Sequence, residues 1–163
     1  MSVDVPTYAK LFTLEEANAT LPLVRAIVTD LSRLSRDLVE RRERLSLLRG
    51  SRELEPGDPY SAELAQIQDE LEKDRGELQG FVDELRQLGV EPKNGVEGLV
   101  DFPCLMDGRV VYLCWRLGEP EVLFWHEIEA GFAGRQSLTA GSVADAATSP
   151  DTSGDEPTPG DEL

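Results

Sequence analysis

The sequence predicts an α+β fold in which a long, coiled-coil-like antiparallel helical hairpin carries a small three-stranded antiparallel β-meander. Two apolar stripes with alternating steps of three and four residues predict the helices. Short apolar runs separated by Gly- and Pro-containing turns predict the meander. We assign residues 1–138 to one domain. Residues 139–163 carry six acids and no base, and a segment so poor in large apolar side chains predicts a disordered acidic tail.

The first helix is predicted over residues 14–49. Thr13 fits the N-cap and Glu16 lies three residues later, which is the capping-box pattern. Pro22 predicts either a kink or the start of a second helical segment capped by Thr20. The stripe then continues without interruption through Val24, Ile27, Leu31, Leu34, Leu38, Arg41, Leu45 and Leu48.

The second helix is predicted over residues 60–88, after a loop rich in Gly and Pro. Antiparallel pairing about Pro56 brings the two stripes into register, so that Leu38 faces Asp74 and Arg41 faces Leu71. The first helix carries seven Arg against six acids, and the second carries eight acids against three bases. These opposite charges favour the antiparallel pair.

Three strands are predicted over residues 102–106, 109–116 and 121–126. Asp107-Gly108 between two apolar runs is a strong hairpin signal. Gly118 and Pro120 then predict a four-residue second turn. With that turn length, one face of the sheet holds Cys104 and His126 and packs on the apolar residues of segment 11–23. The second face is also apolar, so either residues 127–138 or another subunit should cover it.

Composition excludes several classes of function. The net charge of −16 disfavours binding to nucleic acid, because phosphate backbones are repelled. No apolar run is long enough to span a membrane, and no secretory signal is visible. Two Cys and one His exclude a Cys₄ or Cys₂His₂ zinc site within one chain. The same register places Cys104 and Cys114 on opposite faces, so we expect reduced thiols and a cytoplasmic protein.

Several strings together resemble a known prokaryotic family, the domain of unknown function 2203. They include Phe12–Asn18, Asp101-Phe102-Pro103, Cys114–Pro120, Trp125-His126-Glu127 and Gly131–Gln136. The resemblance covers roughly residues 11–138. It implies a self-contained bacterial cytoplasmic domain, and it implies no catalytic residue.

His126 is the centre of a predicted metal site. The register turns it toward the start of the first helix, near Glu15 and Glu16, and Cys104 shares its face. An imidazole, carboxylates and a thiol are ligands that suit Zn²⁺ or another divalent metal. The alternative is structural: His126 bonds a backbone group at the sheet edge, and Glu16 only caps its helix.

A second candidate site lies around the second turn and the segment that follows the sheet. Arg116, Glu119 and Arg135 can hold a carboxylate or phosphate ligand beside an apolar pocket. The alternative is a set of surface salt bridges. A cysteine nucleophile is not supported, because the register puts Cys114 and His126 on opposite faces.

The leading functional prediction is a non-enzymatic cytoplasmic binding or interaction module that forms a homodimer or binds another protein. The alternative is a small metal-binding protein or metalloenzyme centred on His126. The sequence indicates no reaction and no substrate.

Overall fold

The computed structural model describes residues 8, 10–50, 57 and 59–138. Within them the helices are α1 (Leu14–Arg49) and α2 (Pro59–Gln87), and the strands are β1 (Glu91–Asn94), β2 (Leu99–Met106), β3 (Arg109–Arg116), β4 (Phe124–His126) and β5 (Gln136–Ser137). A 3₁₀ turn covers Phe132–Gly134. In this part of the chain, neither helix has an apolar stretch that could cross a membrane. The acidic tail predicted for residues 139–163 lies outside the described residues.

The N-terminus of α1 carries the predicted capping box. The Glu16 amide donates to Thr13 Oγ1 at 3.0 Å, and the Thr13 amide donates to Glu16 Oε1 at 3.2 Å. Pro22 lies inside the helix without ending it. Since α1 runs unbroken over residues 14–49, the predicted bounds of this helix are confirmed.

The two helices form the predicted antiparallel hairpin. Leu38, Ile67 and Leu71 make a buried cluster between them. Beside this cluster Arg41 forms an ion pair with Asp74, and Arg41 Nε lies 3.6 Å from Glu70 Oε2. This contact agrees with the predicted register, in which Arg41 facing Leu71 lies next to Leu38 facing Asp74. Helix α2 begins and ends one residue earlier than predicted.

Within the described residues the sheet has five antiparallel strands in the order β1-β2-β3-β4-β5, so the prediction of three strands was incomplete. The prediction missed the two edge strands because β1 is a short polar segment containing Pro92 and β5 has only two residues. The central hairpin is as predicted, with Met106 opposite Arg109. Asp107 and Gly108 have φ of 52° and 75°, as a two-residue type I′ turn requires.

The main core lies between the helices and one face of the sheet. This core face presents Phe102, Cys104 and Trp115, all fully buried, against Phe12 and the first half of α1. The Phe12 ring packs edge-on against Phe102, with 5.2 Å between the ring centroids. The segment before and at the start of α1 thus packs on the sheet, as its apolar residues predict.

The predicted register of β4 was wrong by one residue. Tyr112 lies opposite His126, and Leu113 lies opposite Trp125. His126 and Phe124 therefore point to the outer face of the sheet, with Tyr112 and Cys114, while Trp125 joins the core.

The connection between β3 and β4 explains the shift, because it is longer than a four-residue turn. Trp115 Nε1 donates to the Glu119 carbonyl at 3.0 Å, which holds the start of the connection. The Val122 amide donates to Asn18 Oδ1 at 2.8 Å, and the Val122 side chain is buried in the core. Val122 is used in this docking, and β4 begins only at Phe124.

Candidate functional site

The outer face carries three buried polar side chains from three neighbouring strands. Asp101 on β2 lies opposite Cys114 on β3, and His126 on β4 is two positions away along the same face. All three residues are almost fully buried. We call Asp101, Cys114 and His126 the buried triad.

The ligand atoms of the buried triad converge. One atom from each residue, namely a carboxylate oxygen, Sγ and an imidazole nitrogen, lies within 4.8 Å of the other two. His126 Nε2 is 3.0 Å from Asp101 Oδ1. His126 Nδ1 is 2.8 Å from the Glu127 carbonyl oxygen. Because that carbonyl can only accept, Nδ1 carries a proton and Nε2 faces Asp101 and Cys114.

Burial shifts the acid–base properties of the triad. Removal from water raises the pKa of Asp101, and the charge and hydrogen bond of His126 oppose this shift. Burial also raises the pKa of the Cys114 thiol to about 12, with the nearby Asp101 charge acting in the same direction and Arg135 acting against it. Without a bound cation, Cys114 is therefore a protonated thiol at neutral pH.

The triad does not have the geometry of a cysteine nucleophile. The prediction that Cys114 and His126 lie on opposite faces was wrong, since both lie on the outer face. However, both ring nitrogens of His126 already have oxygen partners. With its pKa raised by burial, Cys114 lacks the thiolate that nucleophilic catalysis requires.

A cavity of about 300 Å³ opens onto the buried triad. Its other walls come from the β1 edge and from the segment after β4. That segment contributes Ile128, Gly131 and Phe132, so residues in the 127–138 range do cover part of the outer face. The lining residues besides the triad are Lys93, Asn94, Leu99, Ile128, Gly131 and Phe132.

The structure does not bring the predicted metal ligands together. Glu15 and Glu16 are exposed in the first turn of α1, where Glu16 completes the capping box and pairs with Lys10. Cys104 is buried in the core face, away from the side of the sheet that carries His126. The grouping was wrong because the one-residue shift of β4 reverses the direction of His126.

The second predicted group forms only in part. Arg135 makes a short ion pair with Glu119, and both side chains are mostly buried. The Arg116 side chain is exposed, and only its backbone amide donates to Glu119 Oε1, at 2.6 Å. Arg135 also stacks on Phe124, with 3.9 Å from its guanidinium carbon to the ring centroid, and donates to the Cys114 carbonyl at 3.4 Å. The Glu119–Arg135 pair thus supports the backbone beneath the triad.

Sequence reasoning missed Asp101 as a site residue. The available signal was a single carboxylate inside an otherwise apolar strand, Leu99–Met106. A charged residue is seldom fully buried without a partner. Asp101 was therefore a candidate for a partner on a neighbouring strand, but the partner could be named only with the correct β4 register.

Comparison with known proteins places the chain in a family. Residues 10–138 match the family described as "Uncharacterized conserved protein (DUF2203)". The chain belongs to this family. The matched range contains both helices, the whole sheet and the buried triad. No curated protein and no solved structure matches the chain.

Proposed function

We propose that this family member is a binding module of the bacterial cytoplasm that holds a divalent transition metal, Zn²⁺ above all, on the buried triad. The convergence of three chemically different ligand atoms within 4.8 Å carries the proposal. A tetrahedral zinc ion with bonds of about 2.0–2.3 Å sets neighbouring ligand atoms about 3.3–3.6 Å apart. The spacing of the triad needs only small side-chain adjustments to reach those values.

The orientation of His126 supports this proposal. In metal sites the ligating imidazole usually donates its other N–H to a carbonyl or carboxylate, which fixes its tautomer and direction. His126 Nδ1 donates in this way to the Glu127 carbonyl. Nε2 is thereby held toward Asp101 and Cys114 as a potential ligand.

Charge balance favours a divalent ion. Bound Zn²⁺ would be neutralised by one thiolate and one carboxylate, with a neutral imidazole as the third ligand. A neutral centre avoids most of the penalty of placing charge in a buried site. Metal binding would release the Cys114 proton, since coordination deprotonates a thiol.

Cobalt substitution tests the metal site. Co²⁺ added to the purified full chain should bind one ion per chain and give an intense near-ultraviolet thiolate-to-metal band. Cys114→Ser should remove this band. Cys104→Ser is the matched control, because Cys104 is equally buried but lies on the core face. A chain that retains no metal, or a band that depends on Cys104, would overturn the proposal.

A second candidate is self-association of this module through α1. It is supported by Val39 and Leu47, which are 43% and 81% exposed and lie about two turns apart on one side of that helix. Exposed apolar surface of this kind favours a protein partner. Light scattering should give the mass of a dimer, and Leu47→Glu combined with Val39→Glu should give a monomer. A monomeric wild-type chain at high micromolar concentration would contradict it.

A further inference from the structure

The cavity beside the buried triad has the features of a small-ligand site. Its volume of about 300 Å³ lies at the lower end of the range for such sites. Leu99, Ile128 and Phe132 give it apolar walls, and Ile128 and Phe132 are 43% and 40% exposed. The cavity is therefore open enough for a ligand to enter, and only a small one fits.

One cation lines this cavity. Among the described residues that line it, Lys93 is the only Lys or Arg, and it forms no ion pair with another described residue. Its Nζ lies 5.1 Å from the ring centroid of Tyr112, which lies directly opposite His126 in the sheet. Lys93 thus places one positive charge near the triad, and this charge acts to lower the pKa of Asp101.

A metal held by three protein ligands keeps a fourth position open. In catalytic and ligand-exchanging zinc sites this position takes water or an oxygen of a bound molecule. The triad supplies three ligand atoms, and the space next to them is the cavity. A molecule in the cavity can therefore reach the metal directly.

From this arrangement we propose that the cavity binds a small organic monocarboxylate. One carboxylate oxygen takes the fourth position on the metal, Lys93 balances the negative charge, and the apolar body lies against Leu99, Ile128 and Phe132. This inference rests on the metal site proposed above.

The lining favours a carboxylate over a phosphate. A phosphate ion carries between one and two negative charges at neutral pH and accepts many hydrogen bonds, and protein sites bind it with several donors or with Arg clusters. Apart from the triad, the described lining residues offer one ammonium group and the Asn94 amide, whose oxygen already accepts from the Glu97 amide at 3.1 Å. Most of the remaining wall is aliphatic or aromatic.

Cobalt-loaded full-length protein provides the test, with benzoate as the probe and inorganic phosphate as the comparison. We expect benzoate to shift the visible cobalt bands in a saturable way and phosphate to leave them nearly unchanged. Lys93→Gln should weaken benzoate binding by about tenfold, as expected for losing one charged partner. Lys73→Gln is the matched control, since Lys73 is an exposed residue on α2 that does not line the cavity.

The outcomes separate this inference from the metal proposal. If cobalt binds with its thiolate band but benzoate shifts nothing, the carboxylate site is wrong and the metal site stands. If phosphate shifts the bands more strongly than benzoate, the ligand class is wrong. If Lys93→Gln binds benzoate as tightly as Lys73→Gln does, the assigned role of Lys93 is wrong. If no cobalt binds, both proposals are overturned.

Discussion

Asp101 determines the character of the candidate site. If residue 101 were apolar, the Cys114 thiol and the His126 imidazole would remain on the outer face without a polar side chain that could contact both. Asp101 Oδ1 instead forms a hydrogen bond with His126 Nε2, with 3.0 Å between the two atoms, and Asp101 lies opposite Cys114. Burial raises the pKa of Asp101, and the charge and hydrogen bond of His126 act against this rise.

The capping residue of α1 makes a local contribution to stability. Thr13→Ala removes the acceptor for the Glu16 amide and should lower the free energy of unfolding by about 1 kcal/mol. Urea titration measures this loss. Thr29→Ala is the control, because the Thr29 hydroxyl donates only to the Arg25 carbonyl within α1. It should be neutral or slightly stabilising, since Ala is the better helix former; equal losses in both variants would refute the assigned role of the cap.

Glu16 should make part of the stability depend on pH. The Thr13 backbone hydrogen bond, then Lys10, holds the pKa of Glu16 below its usual 4.5. A lowered folded-state pKa gives stability that is present above the unfolded-state value and is lost as pH falls through the folded-state value.

Glu16→Gln tests this dependence, because Gln keeps the capping oxygen but does not titrate. The stability difference between wild type and Glu16→Gln should therefore shrink as pH falls from 6 to 3. Denaturant titrations at several pH values measure it, with Glu15→Gln as the control outside the capping box. A difference that stays constant with pH would contradict the assignment.

The helical hairpin could be predicted almost completely, because its apolar stripe repeats over many turns and every turn supports the same assignment.

The sheet could be predicted only in its centre. The Asp107-Gly108 turn determines the pairing of β2 with β3, since a two-residue turn allows one register. The register of β4 depends on how Val122 and Asn18 dock across the molecule. No local pattern encodes that contact, and the site prediction failed with it.

The Arg41–Asp74 pair tests how the hairpin fixes its register. A partly buried ion pair contributes more to specificity than to stability. Arg41→Leu leaves Asp74 without its ion-pair partner and should cost about 1–3 kcal/mol. Changing both residues to Leu should be near neutral or stabilising. Chemical denaturation of the single and double variants measures this coupling.

The Arg44–Glu63 pair is the control for that cycle, because the Arg44 side chain is 67% exposed. Its coupling should stay below about 1 kcal/mol. Equal coupling energies in the two pairs would contradict the role assigned to Arg41 and Asp74.

At the scale of the whole molecule, the chain carries a large negative charge that is unevenly distributed. Residues 139–163 carry six of the 32 acids and none of the 16 Lys and Arg residues. The candidate site lies on a sheet face where one carboxylate, one thiol and one lysine meet. A metal centre without net charge suits this position better than a binding site that depends on the electrostatic field of the whole chain.

The C-terminal segment gives a prediction at this scale. Its composition offers almost no apolar area to bury, so deleting residues 139–163 should leave the melting temperature of the domain nearly unchanged. Differential scanning calorimetry of the full and shortened chains measures the difference. A large decrease would show that the segment packs on the domain.

The most direct test of the metal proposal is X-ray absorption at the zinc edge of the zinc-loaded full chain. The buried triad predicts one sulfur at about 2.3 Å and nitrogen or oxygen neighbours at about 2.0–2.1 Å, including one imidazole. Cys114→Ser should lose the sulfur shell, and Cys104→Ser should keep it. A spectrum of the wild-type protein with only oxygen and nitrogen neighbours, or a chain that holds no zinc, would contradict the account.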